Sequence, residues 1–269
     1  MGVEAFQIEI GGGWCHTVGA MNLKGKVALV TGGTRGIGRA AALALAERGA
    51  HVALVGRNAD DEAVATREAV AALGVRAVLI IEDCATAAGC QRMVESARQQ
   101  LGEVDVLVHS AGGPVNGGLL ELTSEAWQSA FDVHVHAVFH LARAVVPAMK
   151  LRKEGAILLI SSTAGIRGII TNVAYQVVKG ALPQFARALA RELANDNIRV
   201  NCVAPGVVRT AFHKHMTEET RRFNLENRIP LHREGTPEQV GEVIRMLVEN
   251  DYITGETVTI DGGLTMRIA

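Results

Sequence analysis

Short apolar runs bounded by glycine and small polar residues alternate along this chain with longer segments whose apolar positions recur at helical spacing. The runs at 26–31, 51–55, 75–81, 104–108, 155–161, 198–203 and 255–260 read as strands. The segments at 39–48, 60–73, 85–101, 124–149 and 172–195 read as helices, and Thr236-Pro237-Glu238-Gln239 supplies N-cap and N1 chemistry for another. Seven strands separated by helices, with strands apolar on both faces, predict an α/β fold built on a parallel sheet covered on each side. No linker or shift in composition divides the pattern into two domains. Regular patterning begins at Leu23, so residues 1–22 read as an extension, disordered or upstream of a start at Met21, and 23–269 as one domain.

Composition supports a large core and narrows the partners. The chain has 269 residues, 48% of them hydrophobic, enough to fill one substantial α/β domain. A net charge of -1 with scattered basic residues gives no footprint for nucleic acid or an anionic membrane. No apolar run reaches the length of a membrane span, and the first twenty residues lack a secretory pattern. Cys15, Cys84, Cys90 and Cys202 show neither C-x-x-C pairing nor metal-ligand spacing, which fits reduced thiols and a cytoplasmic location.

Candidate chemistry lies around the run 155–161. Ser162 falls at the carboxyl end of that strand, and thirteen residues on come Tyr175 and Lys179, one turn apart on a single helix face. A free phenol, with a pKa of ~10, is a poor acid or base at neutral pH, but a nearby cation favours phenolate and draws that value down. Tyr175 beside Lys179 is therefore expected to exchange a proton near pH 7, while Ser162 hydrogen-bonds the substrate oxygen. Upstream, Gly32-Gly33-Thr34-Arg35-Gly36-Ile37-Gly38 joins a strand to a helix. Such a loop lets backbone N–H groups approach a pyrophosphate, although its G-x-x-x-G-x-G spacing differs from the usual dinucleotide fingerprint.

Taken together, Gly32 to Gly38, Ala111-Gly112 after the fourth strand, Ser162, Tyr175-x-x-x-Lys179, Pro205-Gly206 and Ile260-Asp261-Gly262-Gly263 make the chain resemble the short-chain dehydrogenase/reductase family from Leu23 onward. The resemblance implies a Rossmann-type sheet of order 3-2-1-4-5-6-7, with a nicotinamide over the carboxyl ends of the central strands. It implies Tyr175 as general acid/base, Ser162 as the residue orienting the carbonyl or hydroxyl, and Lys179 as the ligand of the nicotinamide ribose that lowers the tyrosine pKa. Gly32, Thr34, Arg35, Gly36, Ile37 and Gly38 would bind cofactor, as would Arg57, Asp83 at the adenine, Ala111, Gly112, Tyr175 and Lys179, Pro205, Gly206 and Val208. Two departures stand out. His134 occupies the place of a fourth catalytic residue, usually Asn, that anchors a water in a proton relay behind the lysine. His109-Ser110 replaces the Asn-Asn that usually precedes Ala-Gly. His134, His136 and His140 lack a carboxylate or cysteine to complete a metal set, so no metal is expected.

Val55 is followed by Gly56 and Arg57 rather than the Asp that NAD-using members place there, so no carboxylate blocks a phosphate. Arg35 and Arg57 together are expected to clamp a 2′-phosphate, giving NADP(H) preference with NAD(H) as the alternative. The expected reaction is hydride transfer between nicotinamide and a carbonyl or secondary alcohol. The tail resembles the 3-oxoacyl-[acyl-carrier-protein] reductase branch, and phrases in it also recur in sugar and steroid dehydrogenases. A non-catalytic dinucleotide-binding redox sensor or partner subunit is the other class that the two departures keep open. Residues 113–119, 164–171 and 207–228 are expected to form the substrate pocket, the last of them as a mobile lid or a plain surface helix. The extensive apolar surface of helices 124–149 and 172–195, paired between subunits in the family, implies a homotetramer or homodimer.

Overall fold

Five consecutive residues of the first strand are buried, as are all six of the fifth and all eight of the sixth. Strands with no exposed face must be covered on both sides and flanked on both edges. The computed structural model, which describes residues 20–210 and 216–266, shows this arrangement. Strands β1 (Val27–Thr31), β2 (His51–Gly56), β3 (Ala77–Ile81), β4 (Val106–His109), β5 (Gly155–Ile160), β6 (Ile198–Pro205) and β7 (Thr257–Ile260) form one sheet. Its order is β3-β2-β1-β4-β5-β6-β7, with every pairing parallel. The expected strand order is thus the observed one.

Helices α1 (Gly36–Ala46), α2 (Asp61–Ala71), α3 (Ala87–Leu101), α4 (Ser124–Phe131), α5 (Ala137–Arg152), α6 (Val173–Leu193), α7 (Glu218–Phe223) and α8 (Pro237–Glu249) cover the sheet. Side chains alternate across each strand: Val27 and Leu29 join a core with α3, α5 and α6, whereas Ala28 and Val30 join a second core with α1 and α8. Fully burying one such aliphatic side chain contributes ~1.5–3 kcal/mol, so two cores of this size hold the sheet edgewise and facewise. The chain runs outward from β1 to β3 and then returns to place β4 beside β1, with Thr31 opposite His109 at the carboxyl ends. That reversal opens the crevice in which α/β sheets bind ligands.

Several expected boundaries move for identifiable reasons. Met21 is buried in the second core and its N–H donates to Glu249 O at 2.9 Å, so packed structure begins before Leu23. Residues 1–19, with Cys15, lie outside the described residues. The fourth strand runs from Val106, just after Asp105, whose carboxylate accepts from Val27 N–H at 2.9 Å, and it ends one residue later than expected, on buried His109. The single helix expected over 124–149 is broken by a π turn, Asp132–His136, between α4 and α5. An inserted π turn re-aims the side chains it carries. Here His134 is buried while His136 and Asp132, bonded to each other at 2.9 Å, stay near solvent.

In the expected lid, residues 218–228 consist of α7 and a second π turn, Asn224–Arg228; residues 211–215 lie outside the described residues. The Glu234 carboxylate accepts from Arg209 Nε at 2.9 Å and from Arg221 Nε at 3.0 Å, tying α7 to the segment that follows β6. The helix beginning at Thr236 has the expected cap: its hydroxyl accepts from Gln239 N–H, and the Gln239 side chain accepts in return from Thr236 N–H.

Candidate active site

Tyr175 and Lys179 lie on the first turns of α6, and three contacts press that part of the helix against the end of β5. Ser161 Oγ donates to Lys179 O at 2.6 Å, and Lys179 Nζ donates to Ile160 O at 2.7 Å. Gly165, closing a 3-10 turn at Thr163–Gly165, packs so tightly on the helix that a Cβ there would meet the Lys179 carbonyl carbon at 2.6 Å. The turn that carries Ser162 is thereby locked to the helix that carries Tyr175. Ser162 Oγ accepts from Ala164 N–H at 3.1 Å, and its hydroxyl is hydrogen-bonded to that of Tyr175. Ser162, Tyr175 and Lys179 are thus brought together as the sequence predicts. Ser161 and Gly165 were not anticipated; their signal was the repeated small residues of Ser161-Ser162-Thr163-Ala164-Gly165.

The electrostatics differ from the expectation. Burial pushes the Tyr175 hydroxyl above the ordinary phenol value, and the Ser162 hydrogen bond lowers it only in part. Burial also pulls Lys179 down to about 8, and its ammonium lies 5.8 Å from the centroid of the Tyr175 ring, committed to the Ile160 carbonyl. The predicted acidification of Tyr175 by Lys179 is therefore corrected: desolvation of the phenolate outweighs a cation that is itself desolvated. At neutral pH this tyrosine is a neutral phenol hydrogen-bonded to a serine, an arrangement suited to donating a proton.

Two buried histidines stand behind this pair. His109 is fixed as the Nε2–H tautomer: Nε2 donates to Val133 O at 3.1 Å, and Nδ1 accepts from the Thr31 hydroxyl at 2.9 Å. Burial and the charge of Lys179 lower its pKa to about 3. His134 Nε2 donates to Gly113 O at 3.3 Å, leaving Nδ1 a buried lone pair with no hydrogen-bond partner. Its ring meets that of Tyr175 edge-on at 6.0 Å, and burial followed by the charge of Lys179 lowers its pKa to about 2. Both rings are neutral at neutral pH.

At the other end of the crevice the residues fit a dinucleotide. Helix α1 starts at Gly36 with no side-chain cap and no acidic residue in its first turn, so its first N–H groups are left for an anion. A Cβ on Gly38 would lie 2.1 Å from Gly32 O, which only glycine avoids, and the backbone is therefore bare where a pyrophosphate would rest. Thr34 is buried, its carbonyl accepting from the Thr66 hydroxyl at 2.7 Å. Ile37 is half-buried beside it, and Ala111 N–H donates to Thr31 Oγ1 at 3.3 Å, placing Ala111-Gly112 at the end of β4. Pro205 ends β6, Gly206 N–H donates to Ile260 O at 2.9 Å, and Val208 bridges to Gly235. Asp83 Oδ1 accepts from Ala85 N–H at 2.9 Å just after β3. Arg57 is exposed after β2, whereas Arg35 is paired with Asp60 and lies 3.4 Å from Glu62. Folding brings Arg35 beside Asp60, the N-cap of α2, a contact that the sequence reading did not foresee.

A doubly wound parallel sheet with a glycine turn at β1, and a serine, tyrosine and lysine gathered at β5, defines a dinucleotide-binding oxidoreductase. The family described as enoyl-(acyl carrier protein) reductase matches residues 32–265. Dehydrogenase/reductase SDR family member 4 of Oryctolagus cuniculus is 37% identical over 252 residues, 91% of this chain and 96% of its own. The 3-oxoacyl-[acyl-carrier-protein] reductase of Escherichia coli is 35% identical over 248 residues, 91% of this chain and 100% of its own. The structure of L-sorbose reductase from Gluconobacter frateurii, complexed with NADPH and L-sorbose, superposes with a TM-score of 0.86 at 32% identity, covering 93% of this chain and all of that one. The chain belongs to the short-chain dehydrogenase/reductase family, whose members are oxidoreductases of carbonyl and alcohol groups.

Proposed function

We propose that the protein is an NADP(H)-dependent reductase of ketones, able to run in reverse on secondary alcohols, with 3-oxoacyl thioesters among its candidate substrates. The observation that carries this reading is the hydrogen bond between the Ser162 and Tyr175 hydroxyls at the carboxyl end of β5, beside buried Lys179. Two hydroxyls so close to each other can both address a single substrate oxygen.

When bound, a reduced nicotinamide supplies the hydride. Everything else in the reaction falls to this chain. Ser162 donates to the carbonyl oxygen and orients it, and Tyr175, kept protonated by burial, delivers its proton to that oxygen as negative charge develops. Lys179, a cation below pH about 8, stabilises the phenolate left behind. His134 takes the place of the family's asparagine: its unpartnered Nδ1 is an acceptor for the relay that returns a proton toward Lys179 and Tyr175. Gly32, Gly36 and Gly38 would seat the pyrophosphate, Lys179 the nicotinamide ribose, Asp83 the adenine, and Arg57 with Arg35 a 2′-phosphate. NADPH in the sorbose reductase complex supports the same cofactor here. No helix among the described residues is long and apolar enough to cross a membrane, and the reading extends to a cytoplasmic homotetramer or homodimer.

The test follows NADPH absorbance with purified protein against 3-oxoacyl thioesters, enoyl thioesters, ketoses and cyclic ketones. Oxidation with one of the ketones, abolished in Tyr175→Phe, supports the reading. Turnover of enoyl thioesters alone would redirect it to C=C reduction, and NADPH binding without oxidation across the panel would favour the non-catalytic sensor.

A further inference from the structure

Directly after the tyrosine, Gln176 grips the chain that leads into its helix. Its Oε1 accepts from Ile169 N–H at 2.8 Å, and its Nε2 donates to Ile169 O at 2.9 Å and Thr171 O at 2.7 Å. The side-chain amide thus pairs with the backbone of Ile169 through two bonds, as a neighbouring strand would. The segment it holds is conformationally unfavourable on its own. Thr171 and Asn172 both have left-handed backbones, at φ 64 and φ 59, and for a β-branched threonine that is a rare state that surrounding contacts must impose.

The gripped segment has a lopsided surface. Ile166 and Ile170 are 44% and 92% exposed, and across the hydrogen bond from Val173 N–H to Gly117 O, at 3.4 Å, Leu119 and Leu120 are 74% and 98% exposed. Single exposed apolar residues are ordinary; four on two segments joined at their base, one of them running from the Ser162 turn into the helix that carries Tyr175, are what a site for an apolar group requires. We propose that Gln176 is a positioning residue that holds residues 166–172 as a preformed wall of the substrate cleft, selecting ketones that carry an apolar arm over polyhydroxylated ones. This rests on the ketone reductase reading for its substrate class but not for the grip itself.

The test uses Gln176→Met, which keeps length and loses every hydrogen bond of the amide, and Gln176→Glu, which keeps the bond from Ile169 N–H and sets an acceptor against the carbonyls. Amide hydrogen exchange is measured over 164–173 and over 177–190 in the whole protein. In Gln176→Met, exchange at 164–173 should accelerate about tenfold or more, as expected for the loss of several hydrogen bonds, with 177–190 unchanged. Steady-state kinetics then compare an apolar ketone with a ketose of similar size. KM for the apolar ketone should rise about tenfold, with kcat and KM for the ketose within about threefold and NADPH affinity unchanged. Gln176→Glu should show the same changes in both measurements. Unaltered exchange would overturn the grip whatever the activity. Faster exchange with equal losses for both ketones would leave a merely structural glutamine and overturn the selectivity. If the wild-type protein turns over no ketone, the reductase reading fails, and the exchange result still decides whether Gln176 holds the segment.

Discussion

A Cβ atom on Gly112 would lie 2.0 Å from Cε1 of His134, inside the imidazole ring that fills the space beside it. The two positions are coupled: the ring stands where a side chain on residue 112 would have to go, and Gly112, at φ 136, is in a conformation that L side chains rarely adopt. Gly112→Ala is therefore expected to lose ~3 kcal/mol or more of stability and nearly all activity. His134→Ala in the same chain should recover part of the stability, because it removes the clash and leaves the backbone strain. Thermal melts of the two single variants and the double variant measure the coupling; strictly additive losses would show that the ring is free to move aside.

Acid should unfold this protein through its buried histidines. His109 and His134 have folded pKa values of about 3 and about 2, against ~6.5 when unfolded. Between these limits the unfolded chain binds more protons, so stability is full above pH ~6.5 and is lost as pH falls. From pH 6.5 to 4.5 each histidine removes about 2 kcal/mol, a steep decline for a protein of ordinary stability. Denaturant titrations across that interval should show it, and His134→Asn should reduce the slope by about half.

The reductase rate should decline as pH rises through about 8, where the buried Lys179 ammonium loses its charge. Tyr175 is pushed upward from the phenol value and does not account for a transition there. A pH profile of kcat/KM that stays flat to pH 10 would separate Lys179 from proton transfer. The same lowered value means that the unfolded chain holds more protons between pH 8 and ~10.5, so stability should rise, not fall, over that alkaline interval.

Tyr175→Phe should lower kcat by ~10³-fold while leaving NADPH affinity within about threefold, since it removes the proton donor and its hydrogen bond to Ser162 but keeps the ring in place. Ser162→Ala should cost ~10²-fold, mostly in kcat. Both are read from single-turnover oxidation of bound NADPH.

Cofactor choice is tested at two arginines in different situations. Arg57 is exposed, and Arg57→Ala should weaken NADPH about tenfold with NADH unchanged. Arg35 is held by Asp60 and Glu62, so Asp60→Asn should tighten NADPH binding by releasing the guanidinium. Fluorescence titration with both cofactors distinguishes these outcomes; equal effects on NADH and NADPH would remove the 2′-phosphate from the account.

The alternation of apolar strands and periodic helices was enough to read the parallel sheet, its coverage on both faces and the location of Ser162, Tyr175 and Lys179, because burial pattern and helical spacing are local properties of the chain. Residues distant in sequence decided the rest. Whether Tyr175 is made more or less acidic depends on how much solvent it loses against β5, and burial reverses the sign that i, i+4 spacing alone suggests. The π turn that buries His134, the Asp60 carboxylate beside Arg35 and the Ile160 carbonyl that holds Lys179 are likewise products of packing. Spacing along a helix says which groups share a face; only the folded neighbourhood sets the dielectric and the competing partners that determine their charge.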